Sequence, residues 1–318
     1  MNGAPPMSMI SFDSDLAAGI TKLFLGITAV DVFILVLVSA LAALAVLRYS
    51  KREGLGSEVS HERQLKLEIA WTVGPALIIA VIGTFAVRLS FQTQRPTVPT
   101  DALVVRVTAH QWWWDVRYPS LGVVTANEIH VPADRPVRIR LDSADVVHSF
   151  WVPRLAGKRD VVPGQTNDLT FVAHTVGTYP GECAEFCGTS HANMRFEVFV
   201  DPPDRFDAWA AAQAAPPRIA APPAAPNDPV RAGARVFATS SCTPCHAVGS
   251  AARGVFGPNL THFGSRTTFA GATVPNTPEN LAAWLRNPPA LKPGVKMPPL
   301  GVPEHQIAEL VAYLRSLE

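Results

Sequence analysis

Two apolar stretches limit the folds open to this 318-residue chain more than anything else in it. Residues 23–47 (LFLGITAVDVFILVLVSALAALAVL) carry one charge, Asp31, and residues 69–85 (IAWTVGPALIIAVIGTF) carry none. Each is long enough to cross a bilayer as a helix, the second by running on to about residue 89. The chain is therefore expected to open with an N-terminal segment over 1–19 and a two-helix transmembrane hairpin over 20–91. The connecting loop holds Arg48, Lys51, Arg52, Arg63 and Lys66, whereas the first twenty residues hold no Lys or Arg. That bias predicts a cytoplasmic loop, with both termini on the periplasmic or extracellular side of the cell (inner) membrane. A basic n-region and an A-x-A site are both missing, so no signal peptide is expected within these residues. Asp31 is expensive in lipid; it faces a neighbouring helix, or else lies near the bilayer edge or bonds within the hairpin. Pro75, behind Gly74, predicts a local kink.

From residue 101 the pattern changes to short β runs, at 103–107, 112–118, 137–141, 146–152, 168–172 and 196–200, separated by Pro and Gly turn signals. Such spacing predicts an all-β sandwich, here over residues 92–209. Residues 210–229 (AAAQAAPPRIAAPPAAPNDP) have almost no large apolar side chain, cannot build a core, and are expected to form a semi-stiff tether. Residues 230–318 then make a further module. A formal charge of +1 gives no reason to expect a nucleic-acid partner.

The sandwich carries the run ECAEFCGTSHANM at 182–194, which gathers two thiols (Cys183, Cys187), an imidazole (His191) and a thioether (Met194). Packing does not require so many soft donors, and the mixture suits a copper electron-transfer site. Cysteines four apart can each bridge two metal ions, which makes a binuclear centre possible. A Cys183–Cys187 disulfide and a mononuclear zinc site are the alternatives. A loop cluster needs a further ligand from elsewhere, and His148, in DVVHSFWVP, is the candidate, against the plainer expectation of a structural histidine. His110, His130 and His174 have no soft neighbours and are expected to be structural or surface residues.

In the last module, Cys242-Thr243-Pro244-Cys245-His246 is C-x-x-C-H, the c-type haem attachment sequence. Gly233 and Phe237 precede it at helical spacing, GPNL (257–260) follows, and Lys296-Met297-Pro298 comes about fifty residues later. A final amphipathic helix over 304–317 repeats Ile307, Leu310, Val311 and Leu314. The module resembles a class I cytochrome c, which implies His246 and Met297 as axial ligands and a raised haem potential. All four cysteines fall in the two motifs, and the only methionines beyond residue 9 are Met194 and Met297.

Taken together, AHQWWWDVRY, DVVHSFWVP and GECAEFCGTSHANM, downstream of a hairpin containing LEIAWTVGP, resemble subunit II of the haem-copper cytochrome c oxidases over about residues 16–210. The resemblance implies a transmembrane hairpin, an all-β cupredoxin-like sandwich with a binuclear copper centre (CuA), and then an all-α class I cytochrome c domain, the caa-type fusion. By position, Cys183 and Cys187 match the bridging thiolates, His148 and His191 the imidazoles, Met194 the thioether, and Glu185 the residue whose carbonyl completes the site. The Glu185 side chain matches one that approaches a magnesium ion shared with subunit I. Trp112 matches a surface tryptophan at which electrons enter; strand alternation would put Trp112 and Trp114 on one face and Trp113 on the other. Glu68 matches a glutamate at the mouth of a proton channel.

Implied partners are oxidase subunits I and III, with an external cytochrome c or a quinol–cytochrome c reductase as donor. No ligands for an oxygen-reducing centre are expected in this chain, so its role would be electron transfer within a proton-pumping oxidase. The alternative is a free-standing membrane-anchored haem and copper shuttle. Nitrous oxide reductases share the copper motif but need a His-rich domain that is missing here, and quinol oxidases lose the copper ligands. Residues 101–207 carry 14 acidic and 10 basic side chains, whereas 228–318 carry 5 and 8. These opposite signs favour docking of the haem module on the copper module, unless each merely makes a solvated face.

Overall fold

The computed structural model describes residues 8, 10–50, 61–94, 98–217, 228–249 and 256–318. Lys51 and Arg52 of the basic loop, and residues 218–227 of the expected tether, lie outside the described residues. The chain forms two compact units, one of residues 18–96 and the other of residues 1–17 with 97–318.

Helices α1 (Asp15–Tyr49) and α2 (His61–Gln94) contain the two apolar spans, and Pro75 sits inside α2. Large apolar side chains such as Val32, Phe33, Leu35, Ile79 and Phe85 stay exposed along them, as in helices whose surroundings are lipid or another membrane helix. Glu68 lies exposed in the third turn of α2.

In the second unit, ten strands make a sandwich: β1 (Leu103–His110), β2 (Trp113–Tyr118), β3 (Val123–Ala126), β4 (Glu128–Pro132), β5 (Pro136–Ser143), β6 (His148–Val152), β7 (Ala156–Val161), β8 (Asn167–Val172), β9 (Gly177–Cys183) and β10 (Arg195–Asp201). One sheet runs β3-β2-β1-β5-β8 and the other β4-β10-β9-β6-β7. In β1 the even spacing puts Leu103, Val105, Val107 and Ala109 inward, as a period of two demands. Trp114 is fully buried between the sheets, edge-on to Phe150 and Phe196 with ring centroids 5.7 and 5.3 Å away.

Helix α3 (Pro203–Ala214) follows β10 and buries Phe206 and Ala210. Residues 210–214 are therefore helical and belong to the sandwich's edge, not to an extended tether. Alanine favours a helix wherever one has already begun, and composition alone does not separate that case from a linker.

The last module comprises α4 (Pro229–Thr239), a two-stranded ladder of β11 (Thr268–Phe269) with β12 (Val274–Pro275), α5 (Pro278–Arg286), α6 (Pro288–Leu291) and α7 (Glu304–Arg315). It is helical as expected, apart from that two-residue ladder. Asp228 caps α4 by accepting from the Val230 N–H, with Pro229 opening the helix, and Thr277 and Pro278 do the same for α5. Its core of Phe237, Phe263, Leu281, Ile307, Leu310 and Leu314 is separate from that of the sandwich. Tyr313 is buried on α7, whereas Val311, expected inward, is only part-buried at the edge.

Candidate metal and haem sites

β6 pairs with β9 in antiparallel register, Phe150 opposite Cys183, so His148 at the head of β6 meets the cysteines at the end of β9. The loop that follows folds back on itself: Cys183 N–H donates to the Met194 carbonyl (3.0 Å), and His191 N–H to that of Gly188 (3.1 Å). Two secondary-structure facts thus bring a residue 35 positions distant into the cluster.

His148, Cys183 and Cys187 present ligand atoms that all lie within 4.8 Å of one another. The Cys183 and Cys187 sulfurs are 3.7 Å apart, far beyond a disulfide bond of about 2.0 Å. Both can nevertheless lie within a metal–thiolate length of about 2.3 Å of one ion. His191 Nδ1 is 3.5 Å from Cys187 Sγ, Met194 Sδ is 3.8 Å from the same sulfur, and the Glu185 carbonyl oxygen is 3.2 Å from Cys183 Sγ. The structure therefore brings together every residue of the expected ligand set. This donor set, two thiols with two imidazoles, a thioether and a carbonyl, fits a pair of copper ions, because a zinc site takes four donors drawn from thiolates, imidazoles and carboxylates and no thioether. The Glu185 carboxylate points away from the sulfurs, towards Lys158 Nζ at 3.5 Å.

One residue of this site escaped the sequence analysis. Asp145 Oδ1 lies 2.8 Å from His148 Nε2, and this bond leaves Nδ1, 3.8 Å from Cys183 Sγ, facing the cluster. Burial opposes ionisation of Asp145, but the hydrogen bonds from His148 and the Gln111 and Val146 amides prevail and hold its carboxyl below the usual range. For His148, burial is likewise outweighed, here by Cys183 and Asp145, and its imidazole is raised. The available signal was a carboxylate three residues before the candidate histidine. A carboxylate that fixes a ligand's tautomer commonly sets metal affinity. Asp145→Asn is expected to weaken copper retention about 10- to 100-fold, measured by competition with a chelator.

Trp112 lies in the turn ahead of β2, not in the strand, so the alternation expected for Trp112 and Trp114 does not reach it. Trp114 enters the core, while the half-buried Trp112 donates its indole N–H to the Cys187 carbonyl (3.0 Å), beside Gln111 Nε2 (2.8 Å). Gly188 permits this approach: it holds φ +112°, and a Cβ there would meet the Trp112 ring at 3.0 Å. His130 is held by Asp201 (2.7 Å) and stacks between Phe199 and Trp209, and His174 sits exposed beside Asp134 (2.8 Å).

In the last module a cavity of about 620 Å³ is lined by Cys242, Cys245, His246 and Met297. His246 Nδ1 lies 2.8 Å from the Pro258 carbonyl and donates to it, leaving Nε2 as the free ligand atom. Burial also lowers the His246 pKa, which favours the neutral imidazole that a metal needs. Arg266, wholly buried on the cavity wall, donates Nη2 to the Asn259 carbonyl (2.6 Å), but its Nε has no partner among the described residues. Two thiols, a tautomer-fixed imidazole, a thioether and an unpaired guanidinium N–H around one apolar cavity fit a c-type haem with its carboxylates.

The far wall of that cavity belongs to the sandwich: His110, Gln111, Trp112, Trp113, Asn127 and Asp145. The two donor sets therefore share a boundary, and Trp112 stands on it. His110, stacked on Trp113 at 4.5 Å, is part of that wall as well.

A model of the cytochrome c oxidase subunit II transmembrane domain matches residues 7–89, one of its periplasmic domain matches 121–200, and one of cytochrome c matches 230–318. Cytochrome c oxidase subunit 2 of Alkalihalophilus pseudofirmus is 37% identical over 257 residues, covering 79% of this chain and 73% of that one. The subunit 2 of Bacillus sp. (strain PS3) is 34% identical over 290 residues, 85% of this chain and 80% of its own. That of Bacillus subtilis is 38% identical over 250 residues, 73% and 68%.

Proposed function

The chain belongs to the subunit II family of the cytochrome c oxidases and carries a cytochrome c domain behind the periplasmic one, and on that premise we propose that it is the electron-entry subunit of a caa-type, proton-pumping terminal oxidase. When bound, a c-type haem and a binuclear copper pair supply one-electron exchange, from an external donor towards the haem of subunit I, where oxygen is reduced to water.

Cys183 and Cys187, as thiolates, together with His148, His191, Met194 and the Glu185 carbonyl, would hold the copper pair. Cys242 and Cys245 would attach the haem, and His246 and Met297 would hold its iron. Asp145 orients the His148 ring. Cys183 and Cys187 are buried in one cluster with Trp114, Phe150 and Phe196, so a change of one charge meets few reorienting dipoles. Trp112 is the point of electron entry, and Glu68 stands at the mouth of a proton path into subunit I. The Glu185 side chain faces subunit I and a magnesium ion. Subunits I and III complete the enzyme in the cell membrane, with the metal modules on the periplasmic or extracellular side, and the donor is an external cytochrome c or a quinol–cytochrome c reductase.

The observation that carries this reading is Trp112 itself: its indole bonds the Cys187 carbonyl while its ring lines the cavity of Cys242, His246 and Met297. Electron paramagnetic resonance with a metal count on the purified chain tests it. Two coppers sharing one unpaired electron per haem iron are expected, and a single copper or a zinc ion would overturn the site. Purification in mild detergent should bring a haem-a protein with it. Both centres without that protein would favour the membrane-anchored shuttle instead.

A further inference from the structure

Lys292, on the cytochrome module just after α6, is a long cation without a carboxylate partner among the described residues, yet it is only 2% exposed. Its Nζ donates to the Trp112 carbonyl of the sandwich at 2.6 Å and to the Ala270 carbonyl of its own module at 3.0 Å. Burial pushes its ammonium down to about 7, with the Cys187 side working the other way. A surface lysine gives up hydration at this cost only where the geometry around it is closed.

The surroundings are closed from both sides. Arg195 N–H donates to the Gly271 carbonyl (3.1 Å), Thr267 N–H to Glu128 Oε1 (3.1 Å), and Thr268 Oγ1 to Glu197 Oε2 (3.3 Å). Each of these bonds crosses from the sandwich to the cytochrome module. Lys296, one turn's length along the chain, lies 5.9 Å over the Trp112 ring and 3.9 Å from Asp145. Trp112 is thereby held at its carbonyl by Lys292, over its ring by Lys296, and at its indole N–H by Cys187.

We propose that Lys292 is a positioning residue that locks the cytochrome module onto the Trp112 turn, fixing the path between the two redox sites and closing that turn to soluble electron donors. The proposal rests on the function given above, but its test is separable from it. Electrostatic attraction between modules selects a face without fixing a register, because the rim charges are screened by salt. A buried ammonium shared between a carbonyl of each module does fix a register, since a slip leaves it with the Ala270 carbonyl alone and no water to replace the Trp112 one.

Lys292→Met keeps the side-chain length and removes the charge, so the module itself should fold and retain its haem. In the full chain with both centres loaded, the expected result is intramolecular transfer from ferrous haem c to oxidised copper slowed by about 100-fold, the scale of a small misplacement. The residual rate should become sensitive to viscosity and salt, a readout that a loss of packing alone does not produce. Direct reduction of the copper site by added soluble ferrocytochrome c should rise by about tenfold or more as the Trp112 turn opens. An unchanged intramolecular rate with unchanged copper and haem spectra would overturn the lock while leaving the proposed function intact; loss of either spectrum in the unmodified chain would overturn that function first. If Lys292→Met fails to take up haem, amine acylation of the unmodified full chain decides. Lys292 should resist labelling while Lys296, 62% exposed, reacts, and equal labelling of the two would overturn the docked pose.

Discussion

Cys187→Ser is expected to abolish the mixed-valence copper signal and to reduce copper content from two ions per chain to one or none. Cys187 Sγ sits 3.7 Å from Cys183 Sγ, 3.5 Å from His191 Nδ1 and 3.8 Å from Met194 Sδ, so it is the atom about which most of the ligand set converges. A serine hydroxyl does not ionise near neutral pH and is a hard donor, unsuited to bridging copper. Without metal the contact between the two thiols holds Cys183 well below the usual thiol range and pushes Cys187 up. The fold should survive, because one buried hydroxyl costs about 1–3 kcal/mol and the core of Trp114, Tyr118, Phe150 and Phe196 stays in place. The haem c band should also persist, since Cys242, Cys245 and His246 lie in a module with a core of its own. Electron paramagnetic resonance with metal analysis checks all three expectations in one sample. A native spectrum from the serine variant would remove Cys187 from the site.

The ligand set was legible in the sequence because coordination chemistry is local in kind: soft side chains crowd into 182–194, where nothing in packing asks for them. The same holds for C-x-x-C-H and for the two apolar spans, where length and hydropathy decide. His148 was a candidate in the sequence, raised above a structural histidine by comparison with the other histidines and by resemblance, and the register of β6 against β9 supplies the physical reason for its place. Asp145 was not singled out, because a surface aspartate and one aimed at a ligand ring read alike until the turn ahead of β6 is folded. The strands β3, β4, β7 and β9 were not foreseen, being short, Gly- and Pro-interrupted, or charged over consecutive residues, as AGKRDV in β7 illustrates. Nor was the meeting of modules visible beyond its charge balance. Lys292 and Glu128 look like solvated charges in a sequence, and only tertiary contact turns them into buried partners.

The second large effect concerns Gly233, where two rules oppose each other in sign. Gly233 lies inside α4, and alanine in a helix interior is favoured over glycine by about 0.5–1 kcal/mol. Propensity alone therefore predicts that Gly233→Ala stabilises the cytochrome module. Packing predicts the reverse: a Cβ at this position would collide with the Glu309 carbonyl oxygen and come within 2.6 Å of its carbon and 2.7 Å of Tyr313 Cβ on α7. Those atoms are backbone or the first atom of a side chain, so no rotamer change relieves the clash, and the helices themselves must separate. Separation would part Phe237 from Tyr313, whose ring centroids lie 5.7 Å apart across the crossing. Overpacking of this kind costs about 1–3 kcal/mol, and the rigid neighbours put it at the upper end, more than the propensity gain. For a domain of this size the net loss of about 2 kcal/mol lowers its melting temperature by about 10 °C. Thermal unfolding of the full chain, followed at the haem c band, should show that drop while the copper signal melts unchanged, because the two cores are distinct. A raised melting temperature would mean that α4 and α7 move apart at little cost, and that helix propensity, not close approach, explains the glycine.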